Sequence, residues 1–184
     1  MKPKNKRGKR NSAKSVIKSL IFAGMNPDGA KSKFTTIKKL IRESNATVIA
    51  MQETKVTNPG QIKFDGYYTY EHTRKNGDGG GVALSAIKEL NPVYVCDGGE
   101  HTEAVTIDIH LKTMAISVTS AYGPQNNAPD AKKALFWKYL SEQAHRASTC
   151  GKGFILQGDL NAWLGSDLLL GDQKPQNQNG RLFQ

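Results

Sequence analysis

The N-terminal part of the chain alternates short apolar runs with one amphipathic segment. This pattern predicts a first strand over Val16 to Ala23, followed by a turn-rich loop. Apolar residues then recur at helical spacing from Phe34 to Ile41 with charged residues opposite them, and Asn45 is suited to end this helix. The nearly all-apolar run from Ala46 to Met51 predicts a buried strand.

The middle of the chain is predicted to be rich in β-strands. From Ala104 to Leu111, aliphatic residues alternate with Thr106, Asp108 and His110, which is typical of a strand with one face in water. The consecutive glycines Gly79 to Gly81 predict a turn into a close-packed strand. Four further segments have strand character: Tyr67 to Tyr70, Gly81 to Ser85, Pro92 to Cys96 and Met114 to Ala121.

The C-terminal part predicts a helix, a strand and a loop. The helix extends from about Asp130 to Arg146, and the strand from Gly153 to Gln157 is expected to be buried. The polar stretch from Gly165 to Gln184 is predicted to be a loop. No internal repeat is visible, so we expect one domain over residues 16–184 after a tail of residues 1–15. The apolar side of the helix is predicted to comprise Ala134, Leu135, Trp137 (or Tyr139) and Leu140.

The net charge of +10 is concentrated at the N-terminus. Residues 1–18 hold eight of the 26 basic residues and no acidic residue, which leaves 18 basic against 16 acidic residues elsewhere. Such a tail is typical of a disordered arm that contacts phosphates or of a nuclear-import signal, although a solubilising tail explains it equally well. We therefore expect an intracellular, nuclear protein, and no apolar run is long enough to predict a membrane span. The tail residues assigned to nucleic-acid binding are Lys6, Arg7, Lys9 and Arg10.

The cysteines and histidines do not predict a metal site. Cys96 and Cys150 lie far apart without a paired spacing, so we expect them to be small buried apolar residues rather than a disulfide. The four histidines also lack metal-ligand spacing, and surface or packing roles are expected for them.

Polar residues of catalytic type follow several of the predicted strands. In layered α/β domains, ligand sites form beyond the carboxyl ends of strands, so we expect these residues to share one site. Carboxylate and amide ligands suit Mg²⁺, with Mn²⁺ as an alternative, and Mg²⁺ supports phosphodiester hydrolysis. A phosphate-binding P-loop from Gly24 to Ser32 is rejected because Ala30 is an extra residue before Lys31. The residues after the strands are Asn26, Asp28, Glu53, Tyr122, Asp159 and Asn161.

Five segments carry a family resemblance. They are Met25 to Gly29, Met51 to Lys55, Gly79 to Leu84, Ala121 to Pro124 and Leu156 to Ala162. In this order they resemble the endonuclease/exonuclease/phosphatase family, above all the apurinic-endonuclease-like domains of non-LTR (LINE-type) retrotransposons. Asn177 to Gly180 resembles an Asn-x-Asn-Gly stretch in those domains. The resemblance implies an α/β (α+β) fold, a four-layer sandwich of two β-sheets flanked by helices.

The resemblance also implies a role for each matched residue in DNA cleavage. Glu53 is expected to be the main metal ligand, with Asn26 and Asp28 near the metal and its waters. Tyr122 is expected to contact the scissile phosphate. Asp159 is expected to orient or deprotonate the attacking water, and Asn161 to hold that water and a phosphate oxygen. DNA is the expected partner, RNA or a small phosphoester is an alternative substrate, and the oligomeric state stays open.

Family members carry an Asp and an adjacent Asp-His pair after the segments matched here. This sequence ends at Gln184 before any of them, so we expect a fold that is incomplete at its C-terminus and poorly stable alone. Two functions are therefore compatible with the sequence. One is a Mg²⁺-dependent endonuclease that nicks DNA, and the other is an inactive remnant that binds nucleic acid through its basic tail or has no activity.

Overall fold

Two four-stranded β-sheets form the centre of the computed structural model, which describes residues 19–74, 79–162 and 176–183. The strands are β1 (Phe22–Met25), β2 (Val48–Gln52), β3 (Tyr67–His72), β4 (Val82–Ile87), β5 (Val93–Asp97), β6 (Glu103–His110), β7 (Ala115–Tyr122) and β8 (Gly153–Asp159). The helices are α1 (Phe34–Ser44), α2 (Asp130–Thr149) and α3 (Gln178–Phe183), with a short 3-10 helix at Lys88–Leu90.

Each sheet combines one parallel pair with antiparallel strands. The first sheet has the order β1-β2-β4-β3, and its parallel pair β1 and β2 is connected through α1. The second sheet has the order β5-β6-β7-β8, and its parallel pair β7 and β8 is connected through α2. Because parallel strands end at the same edge of a sheet, each crossover brings two strand ends together.

The main core lies between the two sheets. Val48 and Leu84 of the first sheet pack there against Ile107 and Val118 of the second, and all four side chains are fully buried. On the outer side of the first sheet, α1 packs against Ile49 and its neighbours. On the outer side of the second sheet, α2 packs in the same way. The layers are therefore helix, sheet, sheet and helix, which confirms the predicted four-layer α/β sandwich.

The helix α1 begins and ends where the sequence predicts. Its buried residues Ile37 and Ile41 lie one turn apart on the face toward the sheet. It ends at Asn45, whose φ of 52° is the left-handed conformation that asparagine tolerates better than most residues.

The prediction that one face of β6 is exposed to water is wrong. Thr106 and Asp108 are buried because α2 covers this face of the sheet. Asp108 lies beneath Arg146 and Lys152, and it accepts hydrogen bonds from both side chains. Burial opposes the ionisation of Asp108, but hydrogen bonds from Arg146, Lys152 and Ser117 outweigh it and lower the pKa of Asp108 to about 2. On this helix-covered face, Asp108 belongs to a buried ion-pair cluster, and Thr106 is hydrogen-bonded to Thr119 and Tyr139.

The buried side of α2 also differs from the prediction. Ala134 and Leu135 are exposed, whereas Leu140 is buried as predicted. Trp137 and Tyr139 are half-buried at the edge of the contact. The buried face of α2 differs from the predicted apolar side because it includes polar residues that form hydrogen bonds. The apolar residues alone therefore do not define this face. The buried residues are Lys133, Phe136, Leu140, Gln143 and Ala147.

Four further predictions need correction. The last strand, β8, is half-buried at the edge of its sheet instead of buried. The first strand covers Phe22–Met25 instead of Val16 to Ala23, of which residues 16–18 lie outside the described residues. Within the predicted C-terminal loop, Gln178–Phe183 forms the helix α3. The cysteines are not buried apolar residues: Cys96 is half-buried, Cys150 is exposed, and both thiols are free.

Two predictions concern membranes and the basic tail. No helix in the three described ranges is both long and apolar enough to cross a membrane. Residues 1–18, which include Lys6, Arg7, Lys9 and Arg10, lie outside the described residues.

Candidate active site

Glu53 lies at the meeting point of the two sheets and is held there by two hydrogen bonds. The parallel strands β1 and β2 end together, which places Asn26 beside Glu53. Tyr122 ends β7 in the facing sheet. The Tyr122 hydroxyl donates to Glu53 Oε1 at 2.7 Å, and Asn26 Nδ2 donates to the same oxygen at 3.0 Å. Three of the predicted site residues are therefore in direct contact.

These hydrogen bonds set the charge state of the cluster. The hydrogen bonds from Tyr122 and then Asn26 lower the pKa of Glu53, so its carboxylate is ionised near neutral pH. Burial and the adjacent Glu53 carboxylate raise the pKa of Tyr122 to about 12, so its hydroxyl keeps its proton. Glu53 Oε2 accepts no hydrogen bond from the part of the chain that the structure describes, and it is open to a further ligand.

The backbone around Glu53 is locked in an uncommon conformation. Its φ is 49°, in the left-handed region that costs free energy for a residue with a side chain. Gly29 N donates to Glu53 O at 2.9 Å, and Lys55 N donates to Gly80 O at 2.9 Å. A Cβ at Gly81, where φ is 82°, would lie 2.8 Å from Thr54 Oγ1. The glycine segment thus permits close packing against the Glu53 loop.

Asp28 lies at the rim of the cluster and is paired with a lysine. Its backbone N–H donates to Asn26 Oδ1 at 3.0 Å, so it helps to orient Asn26. Its carboxylate forms a salt bridge with Lys55, and the hydrogen bond and positive charge of Lys55 lower the pKa of Asp28. Lys33 donates to Pro27 O at 2.6 Å and adds a second positive charge nearby. The Asp28 side chain therefore faces lysine instead of Glu53.

Asp159 and Asn161 reach the same edge through β8. The register of the parallel pair places Asp159 opposite Tyr122. Asn161 Nδ2 donates to Gly123 O at 2.8 Å, and Asn161 N donates to Asp159 Oδ1 at 3.0 Å. Side-chain hydrogen bonding from Gln125 and Asn161 opposes the rise in the Tyr122 pKa. Tyr122 consequently connects the Glu53 cluster to the end of β8.

The oxygen atoms of the site suit Mg²⁺, a hard cation. In the described ranges, no group of three or more His, Cys, Asp or Glu residues could hold a metal ion. Mg²⁺ does not require such a group, because it binds one or two carboxylates and keeps several waters. An ionised Glu53, whose Oε2 accepts no hydrogen bond within the described ranges, fits this requirement as the single carboxylate ligand.

A groove extends from Tyr122 along the surface. A pocket of about 230 Å³ beside Tyr122 is lined by Gln125, Asn127 and Lys132 among others. It shares Lys132, Arg74, His101 and Glu103 with a second pocket of about 710 Å³. Arg74 Nε donates to Glu103 Oε1 at 2.8 Å, so its positive charge is held at the junction of the two pockets. A chain-like ligand that reaches Tyr122 can continue along this groove.

Several residues of the site were not predicted from the sequence. Lys55 lies within a matched segment, but no role was assigned to it. Asn177 and Asn179 also lie in a matched stretch, and both donate hydrogen bonds to the loop after β8. Arg74 and Lys132 could not be assigned to the site from the sequence, because isolated basic residues are common on protein surfaces.

Comparison with known proteins gives consistent matches. The model of the Endonuclease/Exonuclease/phosphatase family matches residues 21–182. Craniofacial development protein 2 from Bos taurus is 23% identical over 147 residues, which are 80% of this chain and 24% of that protein. This chain therefore spans about a quarter of the length of that relative.

Two solved structures share the fold. The AP endonuclease LMAP from Leishmania major is 16% identical with a TM-score of 0.67, covering 89% of this chain and 64% of that chain. The endonuclease domain of TRAS1, a telomere-specific non-LTR retrotransposon, is 20% identical with a TM-score of 0.60. The match covers 87% of this chain and 67% of that chain. At these identities the likeness shows the fold alone.

Proposed function

Because the chain belongs to the endonuclease/exonuclease/phosphatase family, we propose that it is a Mg²⁺-dependent phosphodiester hydrolase that nicks DNA and derives from a non-LTR retrotransposon. The observation that carries the proposal is the contact of Tyr122 with both Glu53 and the end of β8. This contact connects the candidate metal ligand Glu53 to the strand end that carries the candidate base Asp159, at one end of the two-sheet sandwich. Two of the matched structures are an AP endonuclease and a retrotransposon endonuclease domain, which supports nucleic acid as the substrate.

Glu53 is the residue that would hold the metal in this proposal. Its ionised carboxylate is oriented through Oε1 by Tyr122 and Asn26, which leaves Oε2 for the ligand. A Mg²⁺ ion bound there would offset the negative charge that develops on the phosphate. Asp28 is proposed to act from further away, because Lys55 neutralises much of its charge and it orients Asn26 through its backbone.

The proton and the phosphate oxygens are assigned to three other residues. Asp159 accepts a proton from the attacking water, as a carboxylate general base does. Asn161 donates to a phosphate oxygen and keeps its loop against Gly123. Tyr122 has a single hydroxyl proton, so it donates to the scissile phosphate when the substrate displaces its hydrogen bond to Glu53 Oε1, and its raised pKa keeps the hydroxyl protonated.

We also propose that the basic tail adds salt-sensitive affinity for DNA and directs the chain to the nucleus. Residues 1–18 hold eight basic residues and no acid, and such segments neutralise phosphates in a manner that weakens with salt. This contribution is independent of cleavage, so a chain that binds DNA through the tail without cutting is the alternative function.

Nicking of supercoiled plasmid by the full chain tests the proposal, with Mg²⁺ in one series and EDTA in the other. We expect open circles only with the metal, and at least about a 100-fold loss of rate in Glu53→Gln and in Asp159→Asn, since each removes a group used in the transition state. Glu43→Gln is the matched control, because Glu43 is an exposed acid of α1 far from the site.

The outcomes separate the two functions. Nicking that persists in EDTA, or in both site variants, would refute the proposed mechanism. Salt-sensitive binding of folded protein without metal-dependent nicking would leave DNA binding as the function. Mn²⁺ in place of Mg²⁺ should restore activity, because both ions favour oxygen ligands.

A further inference from the structure

Residues at the start of α3 contact the loops that follow β7 and β8. Asn177 Nδ2 donates to Asn161 O at 2.7 Å. Gln178 Oε1 accepts from Lys133 Nζ at 2.7 Å. Asn179 Nδ2 donates to Pro124 O at 2.7 Å. We call the segment Asn177 to Asn179 the asparagine clamp.

Asn179 is the central residue of the asparagine clamp. Its side chain is fully buried, and its Nδ2 lies 3.3 Å from Asn161 O as well as 2.7 Å from Pro124 O. Its Oδ1 accepts from Trp137 Nε1 at 3.3 Å. Because an indole N–H can only donate, Trp137 requires the amide oxygen on its side and directs the amide nitrogen toward the two loops. A single amide therefore joins both loops to α2.

The two loops that Asn179 joins directly follow Tyr122 and Asp159, and the second of them carries Asn161. Gly123 N donates to Asp159 O at 2.7 Å, so the loops are already in backbone contact. A Cβ at Gly123 would lie 2.2 Å from Leu160 O, which shows how closely they approach. Beyond this point the strands have ended and no longer fix the distance between the loops.

Lys133 provides a second attachment between the asparagine clamp and the β7 loop. Only 4% of its side chain is exposed, and its ammonium group donates to Asn126 O and Gln178 Oε1, each at 2.7 Å. A buried ammonium group needs such partners, because an unpaired charge in this position would be strongly destabilising. The contact therefore restrains both α3 and the β7 loop.

From these contacts we infer that Asn179 is a positioning residue that fixes the Asp159–Asn161 loop against the Tyr122 loop. The inference rests on the proposed function, because it concerns the residues assigned to the water and the phosphate. Asn179 is buried beneath the loops and acts through their backbone carbonyls, so it does not touch substrate. Loss of its amide should let Asn161 and its loop move relative to Asp159 and Tyr122, which the pairing of β7 and β8 still holds together.

Two variants test the inference in the full chain. Asn179→Ala removes every hydrogen bond of the amide, and Trp137→Phe removes only the donor that orients it. Because displacement of reacting groups by about 1 Å lowers a rate about 100-fold, we expect kcat for nicking to fall at least about tenfold in Asn179→Ala and less in Trp137→Phe, with KM unchanged within about twofold. Leu182→Ala is the control, because Leu182 is an exposed residue of the same helix.

Hydrogen exchange gives a readout that does not depend on cleavage. We expect faster amide exchange in residues 122–126 and 158–162 of Asn179→Ala, with exchange in β4 and β6 unchanged. This result would support the clamp even if the wild-type chain did not cut DNA, whereas absence of wild-type nicking would refute the proposed function alone.

Three results would overturn the inference. The first is unchanged exchange in both loops together with unchanged kcat. The second is faster exchange throughout β4 and β6, which would mean that Asn179 contributes only to global stability. The third is a raised KM with unchanged kcat, which would indicate a contact with substrate instead of positioning. If Asn179→Ala does not fold, the same criteria apply to Trp137→Phe, which retains the amide.

Discussion

The Tyr122–Glu53 hydrogen bond should make a contribution to stability that depends on pH. Tyr122→Phe removes the hydroxyl that donates to Glu53 Oε1 at 2.7 Å and leaves the ring in place. A hydrogen bond to a charged group contributes about 1.5–3 kcal/mol, and partial exposure of Glu53 to water reduces this, so we expect a loss of about 1–2 kcal/mol near neutral pH.

The sign of the pH dependence follows from the lowered pKa of Glu53. A group whose pKa is lower in the folded state stabilises the fold above its unfolded pKa, and this stability is lost as the pH falls through the folded pKa. Protonation turns the charged hydrogen bond into a neutral one, which contributes about 0.5–1.5 kcal/mol. The difference between wild type and Tyr122→Phe should therefore shrink as the pH falls from about 7 to about 3.

Urea unfolding at several pH values, followed by circular dichroism, measures this difference. Tyr70→Phe is the matched control, because the Tyr70 hydroxyl donates at 2.8 Å to Pro92 O, a backbone carbonyl that does not titrate. Its free-energy difference from wild type should be constant over the same range. Two results would refute the assigned charge state of Glu53. One is a free-energy difference between wild type and Tyr122→Phe that does not vary with pH, and the other is an equally large pH variation in the difference for Tyr70→Phe.

Two further predictions concern other ion pairs. Replacement of Lys55 by Gln should raise the pKa of Asp28 toward its ordinary value, because Lys55 is the main cause of its lowering, and an NMR titration of the Asp28 carboxyl that shows no change would contradict this assignment. Asp108→Asn should lower the free energy of unfolding by about 3 kcal/mol, because it leaves Arg146 and Lys152 without their carboxylate. This loss should be complete above the ordinary Asp108 pKa of 3.8 and should shrink as the pH falls toward about 2, and full stability of the variant in urea at neutral pH would disprove it.

The positions of most helices and strands could be predicted from the sequence because local patterns determine them. The run from Ala46 to Met51 is apolar on both faces, and the structure buries β2 completely. The helix α1 shows a clear separation of apolar and charged faces and ends at Asn45, which accepts a left-handed backbone. The five matched segments were sufficient to identify the family, and with it the four-layer architecture.

Which faces are buried was decided by tertiary structure. Asp108 occupies a polar position in the alternating apolar and polar pattern of β6, which predicts exposure to water. In the structure it lies under α2 and pairs with Arg146, which is 38 positions away along the chain. A polar residue in an alternating strand has the same pattern whether it meets water or an ion-pair partner. The sequence does not record which distant residue will cover it.

In the candidate active site, too, the sequence predicted some features and the tertiary structure decided others. That Asn26, Glu53 and Asp159 lie at strand ends was visible in the sequence, because apolar runs end there. The hydrogen bond between Tyr122 and Glu53 joins residues 69 positions apart on opposite sheets, and it exists only because the sheets stack. The contacts of Asn179 with Pro124 and Asn161 depend on the packing of α3 against α2 in the same way. Local patterns determined which groups the chain supplies, whereas the stacking of its layers decided which of those groups meet.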